Sequence, residues 1–235
     1  AVGRLPALIA GAAVAALVVV GAALGAAWLV PLPTRLTLPD SAVMRWRDGG
    51  VAHATLAPDD RWRLPTDVDR VDPAYVTALL AYEDARFRWH PGVDPLAVAR
   101  AIGQNAAAGA VVSGASTLTM QVVRLAEPRP RTLRSKALEA ARAVQLELRL
   151  TKDEILAAYL RLAPYGGNLE GVEAASWAYF GHGAERLTAA EVALLLAVPQ
   201  DPNGRAPGRA EGVAVRAARD RVARRLAAAG ALPTG

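Results

Sequence analysis

The sequence predicts a mainly α-helical domain that follows one apolar segment long enough to cross a membrane. Three observations support this fold class: an N-terminal stretch without charged residues, recurrent helix-capping patterns beyond residue 71, and very little of the alternation that is typical of strands. At 235 residues, the chain has room for one medium-sized domain in addition to the apolar segment.

Residues 1–33 are expected to be an N-terminal transmembrane anchor. Residues 5–34 contain no charged side chain, and residues 8–30 are apolar apart from small glycines. About 20 residues at a rise of 1.5 Å each cross the hydrocarbon core of a bilayer. A signal peptide cleaved near residues 25–27 is the alternative, although the apolar run is longer than the usual core of such a peptide. Arg4 weakly favours an N-terminus in the cytoplasm.

Residues 34–71 are expected to be a linker with one or two short strands. Residues 42–47 are the better strand candidate in this region. Residues that interrupt any longer element are spread through it: Pro39, Gly49, Gly50, Pro58 and Pro65.

Residues 72–209 are expected to be the main helical domain, because the signals for helix starts and stops concentrate there. Asp72 and Asp94 each precede a proline, which is typical of an N-cap followed by the first helical residue. Residues 151–154 and 188–191 have the pattern of capping boxes, and Gly109 is a candidate helix stop. These signals predict six to eight helices and almost no sheet. Residues 210–235 are expected to be a basic C-terminal helix of the same domain and the start of a linker.

The net charge of +5 and the isoelectric point near 10.1 predict an anionic partner. Nucleic acid is disfavoured, because no recognition motif and no interleaving of basic and aromatic residues is present. With an apolar segment in the same chain, anionic lipids and phosphate-bearing substrates are the better candidates. The absence of cysteine excludes disulfides and thiolate metal sites.

The first chemically informative stretch is residues 83–92, with the sequence EDARFRWHPG. Glu83 and Asp84 fall at the far end of the predicted helix, where carboxylates are unfavourable against the helix dipole. If the helical turn continues, Phe87 shares a face with Glu83. A carboxylate beside an aromatic ring in a partly dry site has a raised pKa, which suits a general acid or base. The alternative is a surface carboxylate pair at a frayed helix end.

The second stretch is residues 114–121, with the sequence GASTLTMQ. A turn of small residues runs here into a helix, and amide and hydroxyl groups at a helix N-terminus can bind phosphate or sugar hydroxyls. Thr117, Gln121 and Arg124 are spaced so that they share one face of that helix. An ordinary capped helix is the alternative, and it would require only Ser116 or Thr117.

A third cluster includes Lys136 and Glu139, which are three residues apart on a predicted helix. In the functional interpretation, Lys136 would bind a diphosphate and Glu139 would be a second carboxylate of the active site. The alternative is an ordinary surface ion pair between the two. The three histidines are too scattered to suggest a metal cluster.

Five stretches in the same order resemble the signature motifs of the peptidoglycan glycosyltransferases (glycosyltransferase family 51), the polymerising module of class A penicillin-binding proteins. Met120 and the sequence APYGG at residues 163–167 are most similar to the penicillin-binding protein 1C subtype. The five stretches are residues 83–92, 114–121, 136–147, 159–181 and 190–202.

The resemblance implies a lysozyme-like helical domain with a small membrane-proximal jaw, and an inverting transfer that polymerises lipid II with release of undecaprenyl diphosphate. It implies that Glu83 is the general base and that Glu139 assists leaving-group departure or binds metal; no cofactor is required, and a divalent cation (Mg²⁺ or Mn²⁺) is compatible. Residues that would shape the site or bind substrate are Asp84, Phe87, His90, Ser116, Thr117, Gln121, Arg124 and Lys136.

The resemblance also implies where the protein works and what it contacts. It places a single-pass protein in the bacterial inner membrane, with residues 72–209 as a glycosyltransferase domain on the periplasmic or extracellular side. Its partners would be lipid II, the growing glycan strand, membrane lipid and other proteins of cell-wall synthesis, and not nucleic acid.

The sequence departs from the family pattern at Ala115, Ser135 and Arg161, where a glycine, an arginine and an asparagine are frequent. Arg134 is a candidate to replace the missing arginine at position 135. No Ser-x-x-Lys motif occurs, so these 235 residues hold no transpeptidase site. Two alternatives from other classes are a lysozyme-like lytic glycosidase and a non-catalytic membrane-anchored scaffold. A hydrolase of a neutral glycan has no need for the basic set around Arg124.

Overall fold

A computed structural model describes residue 25 and residues 28–110, 114–208 and 212–232. Within these ranges, no helix is both long enough and apolar enough to cross a membrane. Most of the predicted anchor, residues 1–24, 26 and 27, lies outside the described residues.

The described residues form a mainly α-helical structure, which confirms the helical part of the predicted fold class. Asp72 and Asp94 cap their helices, residues 151–154 and 188–191 form capping boxes, and Gly109 ends its helix in the left-handed conformation, all as predicted. Eight α-helices have both ends among the described residues: α1 (Pro73–Glu83), α2 (Pro95–Ala108), α3 (Leu118–Ala126), α4 (Leu133–Arg149), α5 (Lys152–Leu162), α6 (Val172–Phe180), α7 (Ala189–Ala197) and α8 (Val213–Ala228).

Four short strands accompany the helices. β1 (Val43–Arg45) pairs with β2 (Val51–Ala54) in an antiparallel hairpin, so the strand predicted within residues 42–47 is present. β3 (Trp62–Arg63) pairs in parallel with β4 (Leu169–Glu170), which lies between α5 and α6. The region that precedes α1 is therefore hydrogen-bonded to the helical part of the chain.

A buried ion-pair network holds this N-terminal region in place. The Arg63 side chain is fully buried, and its Nη2 donates to Glu170 at 2.7 Å and to Asp59 at 2.6 Å. Arg161 donates to Asp40 at 2.6 Å and to the carbonyls of Arg35, Leu36 and Leu38. Arg161, a departure from the family pattern, thus binds the segment that precedes β1.

Helix α3 is central to the helical packing. It packs against α4 and α5, while α7 packs against α8 and α1 contacts both of them. Every residue of α3 from Leu118 to Met120 is buried, as are Val122 and Val123. Because α3 carries Gln121 and Arg124, this packing determines where both side chains emerge.

One glycine allows a close approach that positions the start of α3. Gly92 has a φ of +89°, and a Cβ atom there would lie 2.6 Å from the backbone carbonyl group of Ala143 in α4. The Gly92 carbonyl oxygen in turn accepts a 2.6 Å hydrogen bond from Thr117 Oγ1, the N-cap of α3. A larger residue at position 92 would displace the loop that joins Glu83 to α2.

Candidate active site

Glu83 is the last residue of α1, and two amide groups hold its carboxylate. Gln121 Nε2 in α3 donates to one oxygen at 2.9 Å, and Gln200 Nε2 donates to the other at 3.3 Å. Gln200 ends a short 3₁₀ turn, Val198–Gln200, which follows α7. Three separate parts of the chain therefore meet at this carboxylate.

The Glu83 carboxylate faces a cleft of about 340 Å³. Gln121 and Arg124 from α3 line it beside Ser116, as the shared helix face predicted. Its lining residues are Glu83, Gly114, Ser116, Gln121, Arg124, Arg131, Tyr159, Pro199 and Gln200.

Two arginines supply positive charge to this cleft. Arg124 is half-buried, and its Nη1 lies 3.9 Å from Oε2 of the buried Glu139. Arg131 is exposed and comes from the loop between α3 and α4. An anion in the cleft would meet two guanidinium groups, which are well suited to phosphate oxygens.

Neutral tyrosine hydroxyls lie close to Glu83. Burial raises the pKa of Tyr159 well above its ordinary value, and the negative charge of Glu83 raises it further. Burial likewise raises the pKa of Tyr75, whose hydroxyl lies 3.1 Å from that of Tyr165. These phenols keep their protons at neutral pH and add no negative charge beside the carboxylate.

A second cavity of about 200 Å³ adjoins the first, since Glu83, Gly114 and Ser116 line both. Its other side carries basic residues that the sequence reasoning did not select. Arg86 makes a bidentate pair with Asp94, whereas Arg225 of α8 donates to the Tyr82 carbonyl at 3.1 Å. Arg100 in α2 is exposed and also lines this cavity. Glu83 thus lies between two cavities that both contain arginine side chains.

Asp84 and His90 lie behind the cleft as a buried pair. His90 Nε2 lies 3.0 Å from Asp84 Oδ2, and that oxygen also accepts a 2.8 Å hydrogen bond from the backbone amide of Leu118. The Asp84 carboxylate therefore caps the N-terminus of α3, where the helix dipole favours negative charge. The pair links the residue after Glu83 to the helix that carries Gln121.

Phe87 and Thr117 are also buried rather than open to the cleft. Helix α1 ends at Glu83, so the continued turn that would place Phe87 on the face of Glu83 is not formed. Phe87 begins a short 3₁₀ turn and belongs to the core, with Lys152 Nζ 4.5 Å from its ring centroid. Thr117 accepts from the Met120 amide and donates to Gly92, as a helix N-cap does.

Lys136 lies apart from the Glu83 cleft. It is exposed and lines a different, largely apolar cavity of about 310 Å³ between α2 and α4, beside Ile102 and Leu133. Among the described residues it forms no ion pair with Glu139, which is instead close to Arg124. The ordinary surface pair that was the alternative interpretation is therefore not present.

Three polar side chains of the cleft were not among the predicted site residues: those of Arg131, Tyr159 and Gln200. Tyr159 and Gln200 do occur in stretches that carried the family resemblance, so a signal for both was available in the sequence. Arg131 lies just before Thr132, the N-cap of α4. Arg134 was the candidate to replace the missing arginine at position 135; it is exposed and pairs with none of the described acidic residues.

The cleft combines a held carboxylate, basic side chains and a helix N-terminus, and the last two are suited to binding an anion such as a phosphate group. The profile of the transglycosylase family matches residues 49–227. The chain therefore belongs to the transglycosylase family.

Two relatives show the extent of this similarity. The chain is 45% identical to penicillin-binding protein 1C of Escherichia coli over 213 residues, which are 89% of this chain and 27% of that protein. It is 38% identical to the biosynthetic peptidoglycan transglycosylase of Pectobacterium atrosepticum over 190 residues, 79% of this chain and 75% of that protein. The structure of penicillin-binding protein 1A from Haemophilus influenzae matches 84% of this chain and 19% of that one, with a TM-score of 0.41 and 17% identity.

Proposed function

We propose that this chain is a peptidoglycan glycosyltransferase that polymerises lipid II into β-1,4-linked glycan strands and releases undecaprenyl diphosphate. The family membership supports the reaction class, and relatives named penicillin-binding protein 1C and biosynthetic peptidoglycan transglycosylase support the substrate. The observation that carries the proposal is the Glu83 carboxylate, held by Gln121 and Gln200 in a cleft that also contains Arg124 and Arg131.

Glu83 is the general base of the proposed reaction. The hydroxyl oxygen of the acceptor sugar attacks the anomeric carbon of the donor, and Glu83 takes the hydroxyl proton. As the new carbon–oxygen bond forms, the bond from that carbon to the diphosphate oxygen breaks with inversion. The diphosphate leaves with the electron pair. General base catalysis contributes about 10²–10⁴-fold to such a step.

Arg124 and Arg131 stabilise the charge that develops on the departing diphosphate. Their guanidinium groups donate to phosphate oxygens in a partly closed cleft, and this kind of electrostatic stabilisation is usually the largest contribution to catalysis. Ser116 and the Gly114 amide lie beside them and are suited to sugar or phosphate oxygens. Lys136 contributes only long-range attraction, from its separate cavity between α2 and α4.

The remaining predicted site residues support this arrangement. Glu139 orients Arg124 across 3.9 Å and thereby assists departure of the leaving group. Asp84, His90, Phe87 and Thr117 hold the start of α3 and the end of α1 together.

A protein-held divalent cation fits these residues poorly. Glu139 offers one carboxylate with Arg124 beside it, and the described residues contain no group of three side chains able to hold a metal ion. A Mg²⁺ or Mn²⁺ ion would prefer several oxygen ligands. No step of the proposed reaction depends on one.

The division of the chain into an anchor, a connecting segment, a catalytic domain and a C-terminal helix is part of the same proposal. Residues 1–33 anchor the protein in the bacterial inner membrane, and residues 34–71 connect this anchor to a lysozyme-like glycosyltransferase domain, residues 72–209. Residues 210–235 add a basic helix. The anchor keeps the enzyme in the membrane that carries its lipid-linked substrate, and the membrane-proximal jaw contacts that membrane.

The test is to incubate Glu83→Gln and the parent with lipid II and to measure polymer. Loss of the base should lower the rate at least about 10²-fold, with substrate binding retained. Glu185→Gln is the matched control, since Glu185 is exposed and lines neither of the two cavities that Glu83 lines. Activity of Glu83→Gln within about threefold of the parent would exclude Glu83 as the base. Shorter fragments from preformed glycan would instead indicate a lytic enzyme.

A further inference from the structure

Glu83 lies at an unfavourable place for a negative charge, and hydrogen bonds from two amide side chains compensate for it. A carboxylate at the C-terminal end of a helix is opposed by the negative end of the helix dipole. Each oxygen of Glu83 receives one amide hydrogen bond, from Gln121 at 2.9 Å and from Gln200 at 3.3 Å. Gln121 lies on the helix that lines the cleft, but Gln200 lies on the turn after α7 and is exposed.

The orientation of the Gln200 amide is determined by a second residue. Gln200 Oε1 accepts a hydrogen bond from Arg205 Nη1 at 3.3 Å. A guanidinium group can only donate, so the amide oxygen must face Arg205 and the amide nitrogen must face Glu83. The direction of the amide therefore follows from the chemistry of its two partners, a donor-only guanidinium and an acceptor-only carboxylate.

Arg205 is itself held by the segment that carries Gln200. Its Nη1 donates to the carbonyl oxygen of Ala197 at 3.0 Å, and its backbone amide donates to the carbonyl oxygen of Asp201 at 2.9 Å. The donor that faces Glu83 is therefore prearranged by contacts within residues 197–205.

We propose that Gln200 is a positioning residue for the catalytic carboxylate and that Arg205 selects its donating orientation. The inference rests on the proposed function, because it concerns the base of that reaction. Gln200 acts by keeping Glu83 directed at the acceptor hydroxyl. Since Arg124 and Arg131 bind the diphosphate elsewhere in the cleft, loss of Gln200 affects turnover rather than substrate binding.

Gln200→Met tests the role because methionine keeps the length of the side chain and cannot donate. The expected result is a fall in kcat of about tenfold, near the lower end for a hydrogen bond to a charged group, with KM within about twofold. Gln200→Glu, which keeps the shape but replaces the donor with an acceptor, should lose at least as much. Asn203→Ala is the matched control, because Asn203 is in the same segment and instead accepts from the Gly167 amide.

Arg205 is tested by Arg205→Ala, which should lower kcat in the parent but cause no further loss in the Gln200→Met background. Arg205→Lys should restore part of the activity. Three results would each overturn the inference: kcat of Gln200→Met within about twofold of the parent, a change confined to KM, or an equal loss in Asn203→Ala. A parent that makes no polymer from lipid II would contradict the proposed function instead, so the two failures are distinguishable.

Discussion

Arg124→Ala is expected to weaken lipid II binding, because it removes the guanidinium that faces both the Glu83 cleft and Glu139. Arg124 Nη1 lies 3.9 Å from Glu139 Oε2, a distance that leaves its other donors available for phosphate oxygens. The side chain is 36% exposed, whereas that of Glu139 is 8% exposed. The substitution therefore removes the proposed contact to substrate and also leaves a buried carboxylate without its neighbouring cation.

The expected magnitude follows from the chemistry of one charged contact. A hydrogen bond to a charged group contributes about 1.5–3 kcal/mol, and partial exposure places Arg124 at the lower end. This corresponds to an increase in Kd of about tenfold to thirtyfold at low salt. Lys136→Ala should raise Kd by about threefold or less, since an exposed charge in a separate cavity acts through solvent.

Binding of lipid II to the Glu83→Gln background measures Kd without turnover, at low and at high salt. In this background, Arg124→Ala should raise Kd less at high salt than at low salt. Salt screens the charged contacts that Arg124 makes, whereas the alanine variant has no such contacts to lose. Arg186→Ala is the control, as Arg186 is exposed and forms no ion pair with described residues. Arg124→Ala has two effects: it removes the proposed contact to substrate, and it leaves Glu139 without a nearby cation. A double-mutant cycle with Glu139→Gln separates these two effects. An unchanged Kd at low salt would refute the assignment of the diphosphate to this cleft.

Two further predictions concern the anchor and the acid stability of the fold. Removal of residues 1–33 should lower polymerisation on vesicles more than in detergent, because the proposed anchor would raise the effective concentration of enzyme and substrate in one plane. An equal loss in both assays would contradict a tethering role. Burial alone would raise the pKa of Asp94, but the Ala97 amide and Arg86 together hold that pKa below its usual value. This stabilisation is present above the ordinary carboxyl pKa of about 4 and is lost as pH falls through the folded pKa. Asp94→Asn keeps the helix cap but removes the charge, so it should reduce the free energy of unfolding at pH 7. Measured by urea unfolding, the free energy of the variant should also fall less than that of the parent as the pH is lowered. An equal fall in both proteins would contradict this prediction.

Local chemistry made much of the fold predictable from the sequence. Asp72 and Asp94 indicate helix starts because a carboxylate accepts hydrogen bonds from the free amides at a helix N-terminus. The proline that follows each of them has no N–H group, and this costs nothing because the first helical N–H has no partner within the helix. Gly109 marks a helix end because its backbone adopts a positive φ without a steric penalty. These effects act within a few residues, so the sequence is sufficient to read them.

The same locality explains where the sequence reasoning about the site was incomplete. Gln121 and Arg124 were predicted to share a face of one helix, and they do line one cleft. Phe87 was expected to share the face of Glu83 only if the helix continued. The helix instead ends at Glu83, and Asp84 turns inward to cap α3.

Contacts between distant parts of the chain were decided only by the tertiary structure. Gln200 meets Glu83 because α1 packs against α7, and Arg131 enters the cleft because of the path of the chain between α3 and α4. Lys136 lies in a separate cavity, although its spacing from Glu139 suggested a shared role. The sequence by itself determined the helices, the family and the carboxylate at the end of α1. The partners of that carboxylate depended on helix packing. Burial of apolar surface is non-directional and brings together side chains that are far apart in sequence. No single sequence motif therefore predicts which of them meet.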